Sequence, residues 1–486
     1  MILSLVLTVT ISFVVFAILT KRPTGMTVPP LVSANSLVGI LFVLYVIFPT
    51  ILVLANGGVF TWATAYSGYG SLNLALLVSL VAALSFWVGS IVSGRDSKQS
   101  RGRSAKEVAK PAKRPVVVVA LILVAIGLGL KLYIVVLNGG LQDAILRLSG
   151  GVANSTDTAL LDADSIGLRT TSGLADGAAT WLLVEAMRSH KRLLPWVAIF
   201  ASTELLSFLT VGKRLALFLP FLAIVLAVQQ YRRRLTVRAL PVLLIGAVLF
   251  GMLSLFARIF VPAAVANAPV DLESVSYSGG GSPLLFYFYS LEFSTVEMIS
   301  VCVQSAHDIA SLFPSYGDMI VQTNLAPFAY TVPRSVWAGK PDMFTDFSYA
   351  VASVVNNADI ADSTVGYVPT LVGTSFVVAG VPGVIIGFLI LGALCARVDR
   401  VFGRMDWSSF RLLGTAILLM FVFHLFRMGT VAWTFLIAVV QQYGFLVSFG
   451  ILLACAALWR SGDSGNLTGR AWSKRSAEFS AQAAPR

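Results

Sequence analysis

The chain alternates between long apolar runs and short polar breaks from one end to the other. Each run holds roughly 20 residues with few or no charges, the length an α-helix needs to cross a bilayer core. A backbone in lipid must satisfy its own N–H and C=O groups, and a helix does so within one segment. The runs predict spans near 2–19, 35–55, 71–93, 116–137, 172–188, 193–211, 215–231, 239–260, 370–395, 411–427 and 434–459. The fold class is therefore all-α, a polytopic transmembrane helical bundle of about 11 spans. No basic residue precedes the first run, which is long enough to cross, so it reads as a span rather than a cleaved leader.

Composition agrees with this pattern. Of 486 residues, 57% are hydrophobic and 12% charged, an apolar excess well beyond that of soluble domains. Cys302, Cys395 and Cys455 are scattered without metal-like or redox-like spacing. They read as small buried hydrophobes.

Charge then orients the spans, because Lys and Arg concentrate in cytoplasmic loops. The break 94–115 carries Arg95, Lys98, Arg101, Arg103, Lys106, Lys110, Lys113 and Arg114 against Asp96 and Glu107, which sets it inside. Lys21/Arg22, His190–Arg192, Arg232–Arg234 with Arg238, and Arg397–Arg411 then also fall inside. The N-terminus lies outside and the C-terminal tail inside. The net charge of +12 thus reports orientation and attraction to anionic inner-leaflet lipid. It does not point to nucleic acid. Residues 1–459 read as one transmembrane domain, and the polar Ser/Ala/Gly-rich stretch 460–486 as a disordered cytoplasmic tail.

The segment 261–369, between the eighth and ninth spans, is too long for a passive connection. It is rich in turn residues, with Gly279-Gly280-Gly281-Ser282-Pro283 and later Pro314, Pro327, Pro333 and Pro341. Two apolar stretches interrupt it, Leu284–Val303 and Met319–Tyr330. The first carries Glu292 and Glu297, which are costly facing lipid. It reads as an amphipathic or re-entrant helix lying over the outer face, with a two-helix excursion through the membrane as the alternative.

Nine basic residues remain away from the inner side: Lys131, Arg147, Arg169, Lys213, Arg214, Arg258, Arg334, Lys340 and Arg427. Lys131 sits within one span and Glu204 within another. Ions at such depth are usually paired, which makes Lys131–Glu204 a candidate pair. Lys213-Arg214 forms a short outer turn. Arg258 and Arg427 lie at outer ends of spans, with His424 one turn before Arg427 on the same face, and Arg169 precedes an outer helix start. Arginine suits phosphate, because its fork binds oxygens bidentately and stays charged near lipid. The plainer reading is arginine snorkelling to lipid phosphate at helix ends.

The outer segment contains Pro333-Arg334-Ser335-Val336-Trp337-Ala338-Gly339-Lys340-Pro341. This resembles the Pro-Arg-x-x-Trp-Pro-x-Lys-Pro signature of bacterial O-antigen and oligosaccharide repeat-unit polymerases. Ala338 departs from the usual Pro. Gly212-Lys213-Arg214 resembles the Gly-x-Arg turn of that family, and Arg427-Met428-Gly429 its late Arg-x-Gly element. The resemblance implies a GT-C-type membrane glycosyltransferase that joins undecaprenyl-diphosphate-linked oligosaccharide units at the outer face of the cytoplasmic membrane.

Departure of a glycosyl diphosphate builds negative charge, which fixed cations stabilise. The expected roles follow from that. Arg214, Arg258 and Arg427 hold diphosphates, and Arg169, Lys213, Arg334, Trp337 and Lys340 complete the substrate site. The acceptor hydroxyl needs a base. Candidates are Glu292, His424, Glu297, Asp318, Asp342, Asp346 and His307. Tyr316, Tyr330 and Trp337 are candidates to stack on sugars, or members of an interfacial aromatic belt. No metal or other cofactor is expected. Expected partners are the lipid-linked substrate, membrane lipid, a chain-length regulator and a flippase. Rival readings are an O-antigen ligase, another polyprenyl-linked-sugar transferase, and a transporter. A transferase of the rival kind favours acids in the first outer loop, and 56–70 holds none. A transporter calls for inverted repeats with charges at mid-membrane depth.

Overall fold

The structure, a computed structural model, describes residues 1–20, 33–61, 63–93, 114–137, 140–141, 171–211, 218–232, 294–330, 347–359, 367–403, 408–430, 434 and 442–459. These residues are helical with short turns, and none of them forms a strand. Below, inner and outer denote the sides assigned by the charge pattern.

The amino-terminal helices are α1 (Ile2–Thr20), α2 (Ala34–Ala55), α3 (Tyr69–Val92) and α4 (Arg114–Leu137). Next come α5 (Leu174–Arg188), α6 (Leu194–Val211) and α7 (Phe218–Ala227), which runs on into a π turn at Val228–Arg232. In the outer segment lie α8 (Thr295–Gln304), α9 (Ala306–Ser311), α10 (Tyr316–Tyr330) and α11 (Phe347–Asn356). Last are α12 (Thr370–Gly403), α13 (Ser409–Met428) and α14 (Tyr443–Trp459). Six of them, α1, α2, α3, α4, α12 and α13, are long and apolar enough to cross a membrane. Helices α6, α7, α8, α11 and α14 are shorter and apolar. The sequence-predicted span 239–260 lies outside the described residues.

Exposure separates perimeter from core. Leu5, Val9, Phe13 and Phe16 of α1, and Val118, Ile122, Ile126 and Tyr133 of α4, are exposed large hydrophobics. Such faces would be anomalous in water and are the natural border with lipid. Helix α5 shows none of this. Its Leu174, Ala175 and Gly177–Met187 are all buried, which makes it a central helix.

Close helix contacts rest on small residues, as expected where packing and not water drives association. Gly89 of α3 lies against the backbone of Leu389, and Gly392 of α12 against the carbonyl of Phe86. A Cβ at either position would collide with backbone. Gly127 of α4 meets Ala175 of α5 in the same way. Along a neighbouring seam, Phe42 of α2 packs on Phe388 of α12 and Phe426 of α13, with ring centroids 5.8 and 5.1 Å apart.

Helix α12 breaks near its outer end. Ala379 (φ −151°, ψ 22°) and Gly380 (φ 61°, ψ −149°) leave helical geometry, and Pro382 follows. Glycine takes the positive φ without a Cβ penalty. The stretch before the break folds back on the stretch after it: Ser375 lies against Gly383 and Gly387. The exposed large hydrophobics of α12, Val381, Ile385, Ile386, Ile390 and Leu394, all follow the break. The exposed apolar stretch of α12 therefore begins at Val381. The sequence-predicted span at 370–395 falls within the apolar helix Thr370–Arg400, which is long enough to cross a membrane.

Helix ends assigned to one side meet one another. On the inner side, Asp399 accepts from the N–H groups of Ala34 and Asn35 (2.7 and 3.2 Å) and from Asn35 Nδ2 (2.6 Å). This carboxylate caps the start of α2, where helix N–H groups lack partners. Arg400 donates to Ser93 Oγ at 3.0 Å. Arg188 and Glu185 form a two-bond pair (2.9 and 2.6 Å), and Ser409 donates to Glu185 at 2.8 Å.

Candidate functional site at the outer junction of the bundle

The stretch read as an amphipathic or re-entrant helix, or as part of a two-helix excursion, is described from 294 on, and there α8 is packed inside the bundle. All residues from Thr295 to Cys302 are buried, and α8 packs against α3 and α12. Thr295 Oγ1 donates to the carbonyl of Tyr45 at 2.5 Å. Tyr45 sits in a π turn at Val43–Ile47 within α2, where a wider turn disturbs the regular ladder. Eleven residues at about 1.5 Å each put Tyr45 roughly halfway along α2. Helix α8 therefore starts beside the middle of α2, and its buried polar atoms find partners inside the bundle.

Glu297 illustrates this. It is fully buried, and its carboxylate accepts from the N–H groups of Thr61 and Ala63 at 2.8 and 3.4 Å. Both belong to the turn after α2, so Glu297 clamps that turn to α8. Tyr66 OH and Ser305 Oγ, 2.9 Å apart, make a second tie between the same elements. A carboxylate held this way suits structure better than proton transfer. Asp318 is also engaged: it accepts from Ser315 Oγ at 2.7 Å, while its own N–H donates to Ser315 Oγ at 3.1 Å, a reciprocal cap at the start of α10. His307 is exposed on α9, and Tyr316 is exposed at the start of α10.

The start of α12 joins the end of α13. Gly429 caps α13 in the left-handed region (φ 77°). It lies so close to Thr374 Oγ1 and the Thr370 carbonyl that a Cβ would not fit. Gly373 lies against Cys302 of α8 in turn. Three elements thus converge at one outer junction.

Three of the six buried polar atoms without a hydrogen-bond partner among the described residues lie on or next to these elements. Thr370 Oγ1 and Thr430 Oγ1 flank the Gly429 contact, and His424 Nδ1 lies one turn and a half inward on α13. Their residues are 0%, 4% and 1% exposed. Arg427 lies three residues beyond His424 and is half-buried. A guanidinium with hydroxyl donors nearby can hold an oxyanion. An imidazole with a free nitrogen can take or give a proton. Such unsatisfied groups are uncommon in folded proteins.

Of the sequence-predicted site, the structure describes His424 and Arg427. Arg169, Lys213, Arg214, Arg258, Glu292, Arg334, Trp337 and Lys340 lie outside the described residues, as do Asp342 and Asp346. Among the described residues no group of three His, Cys, Asp or Glu could hold a metal.

Lys131 corrects one expectation. It is fully buried and pairs not with Glu204 but with Asp176 of α5, at 3.0 Å. Its Nζ also donates to Ser207 Oγ at 2.7 Å, and Ser207 donates to Asp176 Oδ1 at 2.6 Å. Gly127 lets α4 approach α5 closely enough for this contact. The available signal was an acid one turn into a predicted span, where an ion needs a partner.

What the fold defines is a class, an all-helical protein among the described residues, with six helices long and apolar enough to cross a membrane, as in a multi-pass membrane protein. No family model, no curated protein and no solved structure matches this chain.

Proposed function

We propose that this protein is a membrane glycosyltransferase that polymerises undecaprenyl-diphosphate-linked oligosaccharide units into a surface polysaccharide. The observation that carries the reading is the run Pro333–Pro341, with Arg334, Trp337 and Lys340 at the positions of the polymerase signature. Arg427 and His424, three residues apart at the end of α13 that Gly429 and Thr430 follow, support it. So does the apolar perimeter, which suits a substrate anchored by a prenyl tail. The full bundle has about eleven spans in this reading, and lies in the cytoplasmic membrane.

In the reaction the bond between the anomeric carbon of the growing chain and its diphosphate breaks. A glycosidic bond forms to a hydroxyl of the incoming unit, and that hydroxyl loses its proton. Arg214, Arg258 and Arg427 stabilise the departing diphosphate, an effect worth about 10²–10³-fold per well-aimed donor. Lys213, Arg169, Arg334 and Lys340 hold the second diphosphate and close the site. Trp337 stacks on a sugar face, and His424 or Glu292 accepts the proton. A chain-length regulator and a flippase are the partners this chemistry calls for.

The deciding experiment is the polymer-length profile of a strain lacking the gene. Single units retained with long chains lost supports a polymerase. Loss of all attached glycan means a ligase, and an unchanged profile removes the reading.

A further inference from the structure

Two buried hydroxyls at the outer junction are unused by the fold. Thr370 Oγ1 and Thr430 Oγ1 have no hydrogen-bond partner among the described residues, and both residues are more than nine-tenths buried. The packing at Gly429 brings their segments together. A Cβ on Gly429 would stand 2.7 Å from the Thr370 carbonyl oxygen, and Thr430 is the next residue in the chain. The carbonyl groups of both threonines are already taken. Thr374 Oγ1 donates to that of Thr370 at 3.0 Å, and the N–H and Oγ1 of Thr434 donate to that of Thr430 at 3.2 and 2.5 Å. Two hydroxyl protons are left over.

Their setting favours negative charge. Thr370 opens α12, and the first N–H groups of a helix lack partners within it and attract anions. It does so with φ 60°, a strained conformation for a β-branched residue and one that persists only where the surroundings impose it. Arg427 stands two residues before Gly429 in the last turn of α13, and it is half-buried, so the end of α13 is not sealed. No acidic residue lies on 367–378 or 408–430. Hydroxyl oxygens can ligate a cation, but a helix start and a guanidinium oppose one.

We propose that the junction is an oxyanion site, in which Thr370 Oγ1, Thr430 Oγ1 and the first N–H groups of α12 hold one phosphoryl group and Arg427 neutralises it. Its assignment to a lipid-borne diphosphate rests on the polymerase reading, whereas the site itself does not. Neither threonine belongs to a motif of the sequence.

Because the two hydroxyls make no bond in the free protein, binding separates from folding. Replacing an unpaired buried hydroxyl by a methyl of the same shape is neutral or stabilising. Thr370→Val and Thr430→Val should therefore unfold at or above the wild-type temperature when no anion is present.

The test follows thermal unfolding of the full-length protein in detergent micelles with inorganic pyrophosphate, farnesyl diphosphate or farnesol. A rise with both diphosphates and none with farnesol shows a site for a free phosphoryl group. A rise with farnesyl diphosphate alone shows a lipid-borne one. In either case each valine variant should need about ten-fold more anion for the same rise, the loss of one hydrogen bond to a charged group. Thr370→Ser and Thr430→Ser should respond like the wild type. The proposal is wrong if no diphosphate raises the unfolding temperature, if farnesol matches the diphosphates, if the valine variants respond like the wild type, or if they unfold below it without anion. A diphosphate response lost in the valine variants, beside an unchanged polymer profile in the strain lacking the gene, would keep this site and remove the polymerase reading.

Discussion

Glu297 Oε1 accepts a 2.8 Å hydrogen bond from the backbone N–H of Thr61, tying the buried α8 to the turn that follows α2. The two residues are 236 positions apart in the chain. Glu297→Ala removes the acceptor for two buried N–H groups, each costing about 1–3 kcal/mol when left unpaired. Glu297→Gln keeps one oxygen acceptor and should lose less. Thermal unfolding followed by tryptophan fluorescence in micelles should rank the proteins wild type, Gln, Ala. Equal midpoints would show that the clamp contributes nothing.

The α3–α12 crossing has no room for a Cβ at Gly89 or Gly392, where the obstacle is backbone. Gly89→Ala and Gly392→Ala should sharply reduce the yield of monodisperse protein on size-exclusion chromatography. Gly129 of α4 and Gly414 of α13 face open space. Gly129→Ala and Gly414→Ala should be neutral or stabilising by up to about 1 kcal/mol, the helix-propensity difference.

Removing the buried ammonium leaves uncompensated carboxylates. Lys131→Met should destabilise by about 3–5 kcal/mol, the usual effect of breaking a buried pair from one side. The double variant Lys131→Met/Asp176→Asn should recover much of that loss. A double-variant unfolding temperature no higher than that of Lys131→Met would mean that Asp176 is not the partner.

Arg427→Ala should lower chain extension by about 10²-fold or more if the guanidinium stabilises the leaving diphosphate, and Arg427→Lys should recover only part, because the fork is lost. Insertion should be normal in both. Arg214→Ala and Arg258→Ala should behave like Arg427→Ala, and replacing Lys340 should cost more than replacing Lys98. Full-length polymer from the Arg214 and Arg258 variants would remove the diphosphate clamp.

The helical class, the apolar spans and the relative sidedness of the breaks were legible along the chain, because bilayer thickness sets run length and backbone bonding in lipid is local. His424 and Arg427 were legible as one face of a helix end, since their three-residue spacing is itself local. Partner choice was not. Lys131 had two acids within reach of a plausible bundle, and only the approach of α4 to α5 at Gly127 selected Asp176. The depth of α8 was equally hidden. Its acidic residue argued for a place near water, yet Glu297 is satisfied by backbone donors from a distant turn. The sequence by itself determined the helical class and the apolar runs long enough to cross a membrane. Tertiary structure alone decided which buried polar groups meet, because hydrogen bonds between distant segments depend on close packing that no local period encodes.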